Sequence, residues 1–174
     1  MNTKELDGYL KFLSEKQTAV QESGFDVEDS DLSPQLFPFQ KYCVKRALKV
    51  GRFAMFEDCG LGKTYQQLEW AQQVVNHINK PVLILAPLGV IGQTIKEGVH
   101  FGYKVNEIAI TTFDQDLSAG IYITNYDNMD NIDAYLFGGV VLDESSILKN
   151  FAGKTRTALI EDFKNTPYKL CCTA

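Results

Sequence analysis

The period of the hydrophobic positions changes along the chain, and each change marks a boundary. Leu6, Leu10, Leu13 and Val20 recur at helical spacing, which predicts an amphipathic helix in the first 22 residues. The stretch ESGFDVEDSDLSP that follows is acidic and rich in turn formers, so residues 1–34 are expected to form a helix and linker outside the main body. From Phe39, the apolar set Phe39, Cys43, Val44, Ala47 and Leu48 predicts a second helix. Its other side carries Lys41, Lys45 and Lys49 four residues apart, a row expected to be solvated.

After Arg52 two periods alternate. Short β-rich runs stand at FAMFE (53–57), PVLILA (81–86), VNEIAIT (105–111), IYITN (121–125), VVLD (140–143) and YKLCC (168–172). Between them lie helical patterns at 62–79, about 90–101 and 154–164, the first with Leu68, Ala71, Val75 and Ile78 inward. Strands that are apolar throughout and separated by helices predict a parallel sheet covered on both faces. Residues 35–174 are therefore expected to be one three-layer α/β domain around a mostly parallel sheet.

Composition narrows the class without naming a chemistry. The 174 residues suit a single domain, and 45% hydrophobic with 22% charged residues excludes disordered and fibrous classes. No apolar run approaches the roughly 18 residues that cross a bilayer. Lys4, Glu5, Asp7 and Lys11 interrupt the start of the chain where a secretory signal would be apolar. A cytoplasmic protein with no membrane partner is expected. Cys43, Cys59, Cys171 and Cys172 form no CxxC pair, and with only His77 and His100 beside them there is no zinc spacing, so free thiols are expected. The acidity is local: residues 1–31 hold three Lys against eight Asp or Glu, and the rest of the chain is neutral. A neutral body exerts no global pull on nucleic acid, so any phosphate contact must be local.

The strongest chemical signal is Gly60-Leu61-Gly62-Lys63-Thr64, between the predicted strand FAMFE and an amphipathic helix. Glycines let backbone N–H groups approach phosphates, a helix N-terminus adds positive potential, Lys63 reaches β and γ phosphates, and the Thr64 hydroxyl ligates Mg²⁺. Glu57 stands where the pattern GxxxxGK[ST] has Gly. The second signal is Val140-Val141-Leu142-Asp143-Glu144, an apolar strand ending in carboxylates at the edge where parallel sheets bind ligands. Asp143 there can hold the Mg²⁺ shell, and Glu144 can orient and deprotonate water.

Together these segments resemble the superfamily 2 helicases, nearest to Swi/Snf-type DNA-dependent ATPases and their phage-borne relatives. LFPFQ looks like the adenine-reading segment, with Phe37 beside Gln40 in the place of the base-reading glutamine. EDCGLGKT resembles motif I, and this family does not require Gly at position 57. LILAPLGVIGQTIKE resembles motif Ia through Pro87, Gln93 and Glu97, with Thr94 replacing the usual tryptophan. ITNYD resembles motif Ib, VVLDESSILKN the DExH segment, and CCTA the start of motif III. Ser146 stands where the family commonly has His.

The resemblance implies the first RecA-like lobe of an ATP-driven motor using ATP and Mg²⁺ on double-stranded DNA. Its site would comprise Lys63, Asp143 and Glu144 in catalysis, Phe37, Gln40, Gly60, Leu61, Gly62, Lys63 and Thr64 around ATP, and Thr64 with Asp143 at the metal. Pro87, Gln93, Thr94, Thr124 and Asn125 would touch nucleic acid, and Ser146 and Thr173 would couple the two sites. A second RecA-like lobe is expected as partner, because Arg46, Arg52 and Arg156 sit in no motif that places an arginine on the γ-phosphate. The 174 residues alone are accordingly expected to bind ATP weakly and hydrolyse it negligibly. A nucleotide-dependent switch without translocation and an RNA-directed helicase are the alternatives.

Overall fold

The computed structural model describes residues 22–108, 117–146 and 153–174. The predicted N-terminal helix, positions 109–111 of the third predicted strand, and Leu148, Lys149 and Asn150 lie outside the described residues. In chain order the elements are α1 (Pro38–Val50), β1 (Arg52–Phe56), α2 (Lys63–Ile78), β2 (Val82–Ala86), α3 (Leu88–Phe101), β3 (Val105–Glu107), β4 (Ile121–Asn125), 3₁₀ turns at Tyr126–Asn131 and Ala134–Leu136, β5 (Gly139–Leu142), α4 (Gly153–Asp162) and β6 (Tyr168–Thr173).

The strands form a six-stranded sheet in the order β1-β6-β5-β2-β4-β3. Every pairing is parallel. Handedness then places the layers. Crossovers between parallel strands are right-handed, so connections running in opposite directions across the sheet cover opposite faces. The β1-to-β2 and β2-to-β3 connections run one way and put α2 and α3 on one face. The β4-to-β5 and β5-to-β6 connections run back and put the 3₁₀ turns and α4 on the other.

Alternation along β2 serves both faces. Val82, Ile84 and Ala86 enter the first core, while Leu83 and Leu85 enter the second, and all five are fully buried. That is why the run VLIL carries no polar position. The edge strand β1 departs from this expectation, because Arg52, Ala54 and Phe56 are exposed on one face.

The acidic stretch is not a free linker from Glu22 onward. The N–H groups of Ser23, Gly24 and Phe25 donate to the carbonyls of Val50, Lys49 and Leu48, which satisfies the last turn of α1. Phe25 stacks on His77 with centroids 3.8 Å apart, and Leu32 and Leu36 are buried in the first core. The lysine row has partners here: Lys45 meets Asp29 at 2.6 Å, Lys49 meets Asp26 at 3.1 Å, and Arg46 meets Glu22 at 2.6 Å. These pairs are largely exposed and each contributes little, so burial of Phe25, Leu32 and Leu36 is what holds the strap.

Candidate functional site

The carboxyl ends of β1, β6 and β5 lie side by side, and the residues leaving them meet at one corner of the sheet. Residues 57–62 carry the chain from β1 to α2. Gly60 and Gly62 have φ of 85° and 76°, a left-handed conformation that other residues adopt only at a cost. Gly62 is needed for space as well, since a Cβ there would stand 2.5 Å from Gln40 Nε2. Glu57 has no positive φ, which is why the position tolerates a side chain.

Three residues lock this loop. Gln40, buried on the first turn of α1, accepts from the Phe37 N–H and donates to the Leu61 carbonyl, both at 2.9 Å. One donor and one acceptor site of that amide remain unused. Lys63 Nζ donates to the carbonyls of Glu57 at 2.7 Å and Asp58 at 3.1 Å, so the ammonium sits inside the loop. Glu57 donates its N–H to the Thr173 carbonyl at 3.1 Å, and its carboxylate accepts from Gln66 Nε2 at 2.6 Å. The loop is thereby tied to the end of β6 and to α2.

Beside the loop lies a cleft of about 450 Å³ bounded by Phe37, Phe39, Gln40, Leu61, Tyr65 and Phe101. The Phe37 and Phe39 rings lie parallel, 7° apart in plane, and are 65% and 44% exposed. Apolar faces of that kind suit a flat aromatic ligand. A larger cleft of about 670 Å³ separates the acidic strap from α1. It has no glycine loop and no strand-end carboxylate, so chemistry rather than size locates the site.

Asp143 follows β5 and is 8% exposed. Its N–H donates to the Leu85 carbonyl at 2.8 Å, and its carbonyl accepts from the Tyr126 hydroxyl at 2.7 Å. Its carboxylate Oδ1 accepts from Gln67 Nε2 at 2.6 Å. Burial pushes the Asp143 carboxyl above the usual range, and the Gln67 bond opposes that shift. Glu144 is half-buried at φ 49°, a left-handed position that costs a non-glycine residue about 1–2 kcal/mol. Strain of this kind recurs at functional sites.

These residues suit a nucleotide phosphate with a divalent cation. Nothing stands within 4 Å of a Cβ built at Gly60, which leaves the loop's outer face open. The first turn of α2 carries no acidic residue to repel an anion. Thr64 and Asp143 offer the hard oxygen donors that Mg²⁺ prefers. Buried acceptors around the loop, Glu57 Oε1, Gln66 Oε1 and Gln67 Oε1, have no donor among the described residues. No group of three or more His, Cys, Asp or Glu side chains gathers among the described residues, so the corner offers no cage made by the protein alone.

The positions named for nucleic acid behave differently. Thr94 is 2% exposed and its hydroxyl donates back to the Val90 carbonyl at 3.1 Å. Thr124 is fully buried, donating to the Ile108 carbonyl at 3.0 Å and accepting from Asn128 Nδ2 at 2.9 Å. Asn125 caps the first 3₁₀ turn by accepting from the Asn128 N–H. Pro87 is half-buried at the start of α3, and Gln93 is exposed, with Nε2 on Glu97 at 2.8 Å. Thr173 abuts the loop through its carbonyl, while Ser146 is half-buried at the limit of the described residues. Gln66 and Gln67 complete the corner although no motif pointed to them, and Tyr126, inside the ITNYD segment, joins it through the Asp143 carbonyl. For the two glutamines only their nearness in sequence to GKT gave a signal.

No protein-family profile matches the chain, and no curated protein matches it in sequence. Solved structures do match in fold. The UvsW helicase from bacteriophage T4 superposes with a TM-score of 0.67 at 17% identity, covering 79% of this chain and 51% of that one. The Sulfolobus solfataricus SWI2/SNF2 ATPase core in complex with dsDNA gives 0.66 at 19% identity, covering 84% of this chain and 33% of that one. The Sulfolobus solfataricus SWI2/SNF2 ATPase core domain gives 0.64 at 18% identity, covering 91% of this chain and 34% of that one. The chain therefore has the RecA-like α/β fold of helicase and SWI2/SNF2 ATPase cores, and spans from a third to a half of their length.

Proposed function

We propose that this chain is the ATP-binding lobe of an ATP-driven motor that acts on DNA. The observation that carries the reading is the meeting of a glycine loop and a strand-end carboxylate at one sheet corner, bridged by the Gln67–Asp143 bond of 2.6 Å. In this reading the backbone N–H groups of residues 60–64 and the N-terminus of α2 hold the phosphates. Lys63 leaves the carbonyls of Glu57 and Asp58 for phosphate oxygens, exchanging neutral acceptors for charged ones. The unused donor and acceptor of Gln40 read the edge of adenine, with Phe37 against its face. Thr64 and Asp143 hold Mg²⁺, which when bound neutralises phosphate charge. Glu144 takes a proton from the attacking water.

The DNA half of the proposal rests on likeness to a core whose solved structure contains dsDNA. The exposed surface that fits it is the start of α3, at Leu88, Gly89, Gly92 and Gln93. A second lobe supplying an arginine to the γ-phosphate completes the motor, since such an arginine is typically worth about 10³ to 10⁵ in rate. A nucleotide-dependent switch that never moves along a polymer is favoured by one observation, the burial of Thr94 and Thr124 away from any surface. The test is Glu144→Gln in the full-length protein. Retained ATP and Mg²⁺ binding with turnover abolished supports the reading, and equal loss of both removes Glu144 from the chemistry. Stimulation of the parent's turnover by duplex DNA, by RNA or by neither separates motor, RNA helicase and switch.

A further inference from the structure

Gln67 is a second glutamine in a helix already bearing Gln66, and nothing in its sequence position gives it a task. The fold buries it to 1% exposure beneath the loop. Its Nε2 donates to Asp143 Oδ1 at 2.6 Å across 76 residues of sequence. The amide orientation is dictated by charge, because the opposite one would set a carbonyl oxygen against a carboxylate. The other amide atom, Oε1, is buried and has no donor among the described residues. A buried acceptor left in that state is destabilising, since it has given up its hydrogen bonds to water without replacement. A well-packed helix retains such a residue at this position if a donor comes with the ligand.

We propose that Gln67 is a positioning residue for the divalent cation. Its N–H fixes the Asp143 carboxylate through Oδ1, alongside a bond from the Glu144 backbone N–H, and its carbonyl accepts a hydrogen bond from the hydration shell the cation brings. The proposal rests on the nucleotide-site reading above. Mg²⁺ sheds water reluctantly and usually keeps several waters when bound by few carboxylates. A corner that supplies only Thr64 and Asp143 as direct ligands therefore needs neutral acceptors to hold that water. Gln67 Oε1 is one amide's width from the carboxylate it orients. The main chain of Asp143 is independently held by Tyr126 and Leu85, so Gln67 acts on the carboxylate alone. Outer contacts of this kind typically change metal affinity by about 10- to 100-fold.

The experiment measures ADP affinity by calorimetry with Mg²⁺ and with EDTA, for the parent chain and for Gln67→Met, which keeps the volume and removes both polar atoms. Mn²⁺ binding to the ADP complex, read by electron paramagnetic resonance, gives a signal independent of turnover. The expected result is unchanged affinity in EDTA, a gain from Mg²⁺ reduced about 10-fold, and weaker Mn²⁺ binding. In an Asp143→Asn background the effect of the same substitution should shrink, because the share of Gln67 that acts through that carboxylate is already gone. If Gln67→Met loses the circular dichroism of the parent, Gln67→Leu, which also removes both polar atoms, carries the test, with the same selective loss of the Mg²⁺ gain expected. Equal loss with and without the cation, or an undiminished Mg²⁺ gain, overturns the role of Gln67 and leaves the site reading intact. Failure of the parent chain to bind ADP under either condition overturns the site reading itself.

Discussion

Two corners of the same sheet edge respond differently to the same kind of motif. At the ends of β1 and β5, the residues singled out by pattern, Gly60, Gly62, Lys63 and Asp143, converge on one loop and one turn. At the ends of β2 and β4, the residues singled out by pattern are mostly consumed by the core: Thr94 bonds its own helix, Thr124 bonds Ile108, and Asn125 caps a turn. The difference lies in what recognition uses. A phosphate is held by backbone N–H groups whose geometry two glycines and a helix start dictate, so a short string suffices. A polymer is held by whichever side chains face outward, and short polar side chains near a strand end satisfy themselves on the backbone as readily as on a ligand.

Perturbing the first corner should give the largest effect. Lys63→Ala would remove the charge-assisted contacts to phosphate proposed above, and nucleotide affinity measured by calorimetry should fall by at least about 100-fold. Retained affinity would remove Lys63 from the site. The second corner should respond in stability instead. Thr124→Val leaves the Ile108 carbonyl and the Asn128 amide unpaired in the core, and urea denaturation should show a loss of about 1–3 kcal/mol with nucleotide affinity unchanged. An unchanged midpoint would show that Thr124 is free for other work.

Glu144→Gly tests whether strain is stored at the first corner. Removing the side chain from φ 49° should raise stability by up to about 1 kcal/mol, because the relieved strain exceeds the added chain entropy, while turnover is lost. A destabilised variant would mean that the Glu144 side chain contributes more through its contacts than its backbone conformation costs. The smallest effect belongs to Gln93→Ala at the exposed start of α3. Stability should stay within about 0.5 kcal/mol, and binding of duplex DNA should weaken a few-fold. DNA binding unaltered by Gln93→Ala would move the polymer surface elsewhere and sharpen the switch reading.

Much of the fold is legible in the sequence. The run IYITN coincides with β4, and the other predicted strands and the helices after Arg52 lie within two residues of those observed wherever both are described. Apolar runs and helical periods are local properties of the backbone, and right-handed crossovers turn their order into layers. The acidic strap misled because composition reports turn propensity and charge, whereas Phe25, Leu32 and Leu36 supply the burial that docks it.

Sequence by itself determined the order of strands and helices, the glycine loop before α2 and the carboxylate after β5, since each depends on neighbours a few residues away. Tertiary structure alone decided which polar side chains are buried. Gln66, Gln67 and Glu69 stand within about one turn of a helix whose inward pattern does not include them, yet α1, the strap and the sheet close around them. Glu69 is matched there by the Ser33 N–H, the Gln73 amide and the Tyr103 hydroxyl, and Gln67 by Asp143. The physical reason is that a helix pattern records one apolar face, while a helix packed between two others and a sheet has no face left for water, and its polar groups must find partners distant in sequence.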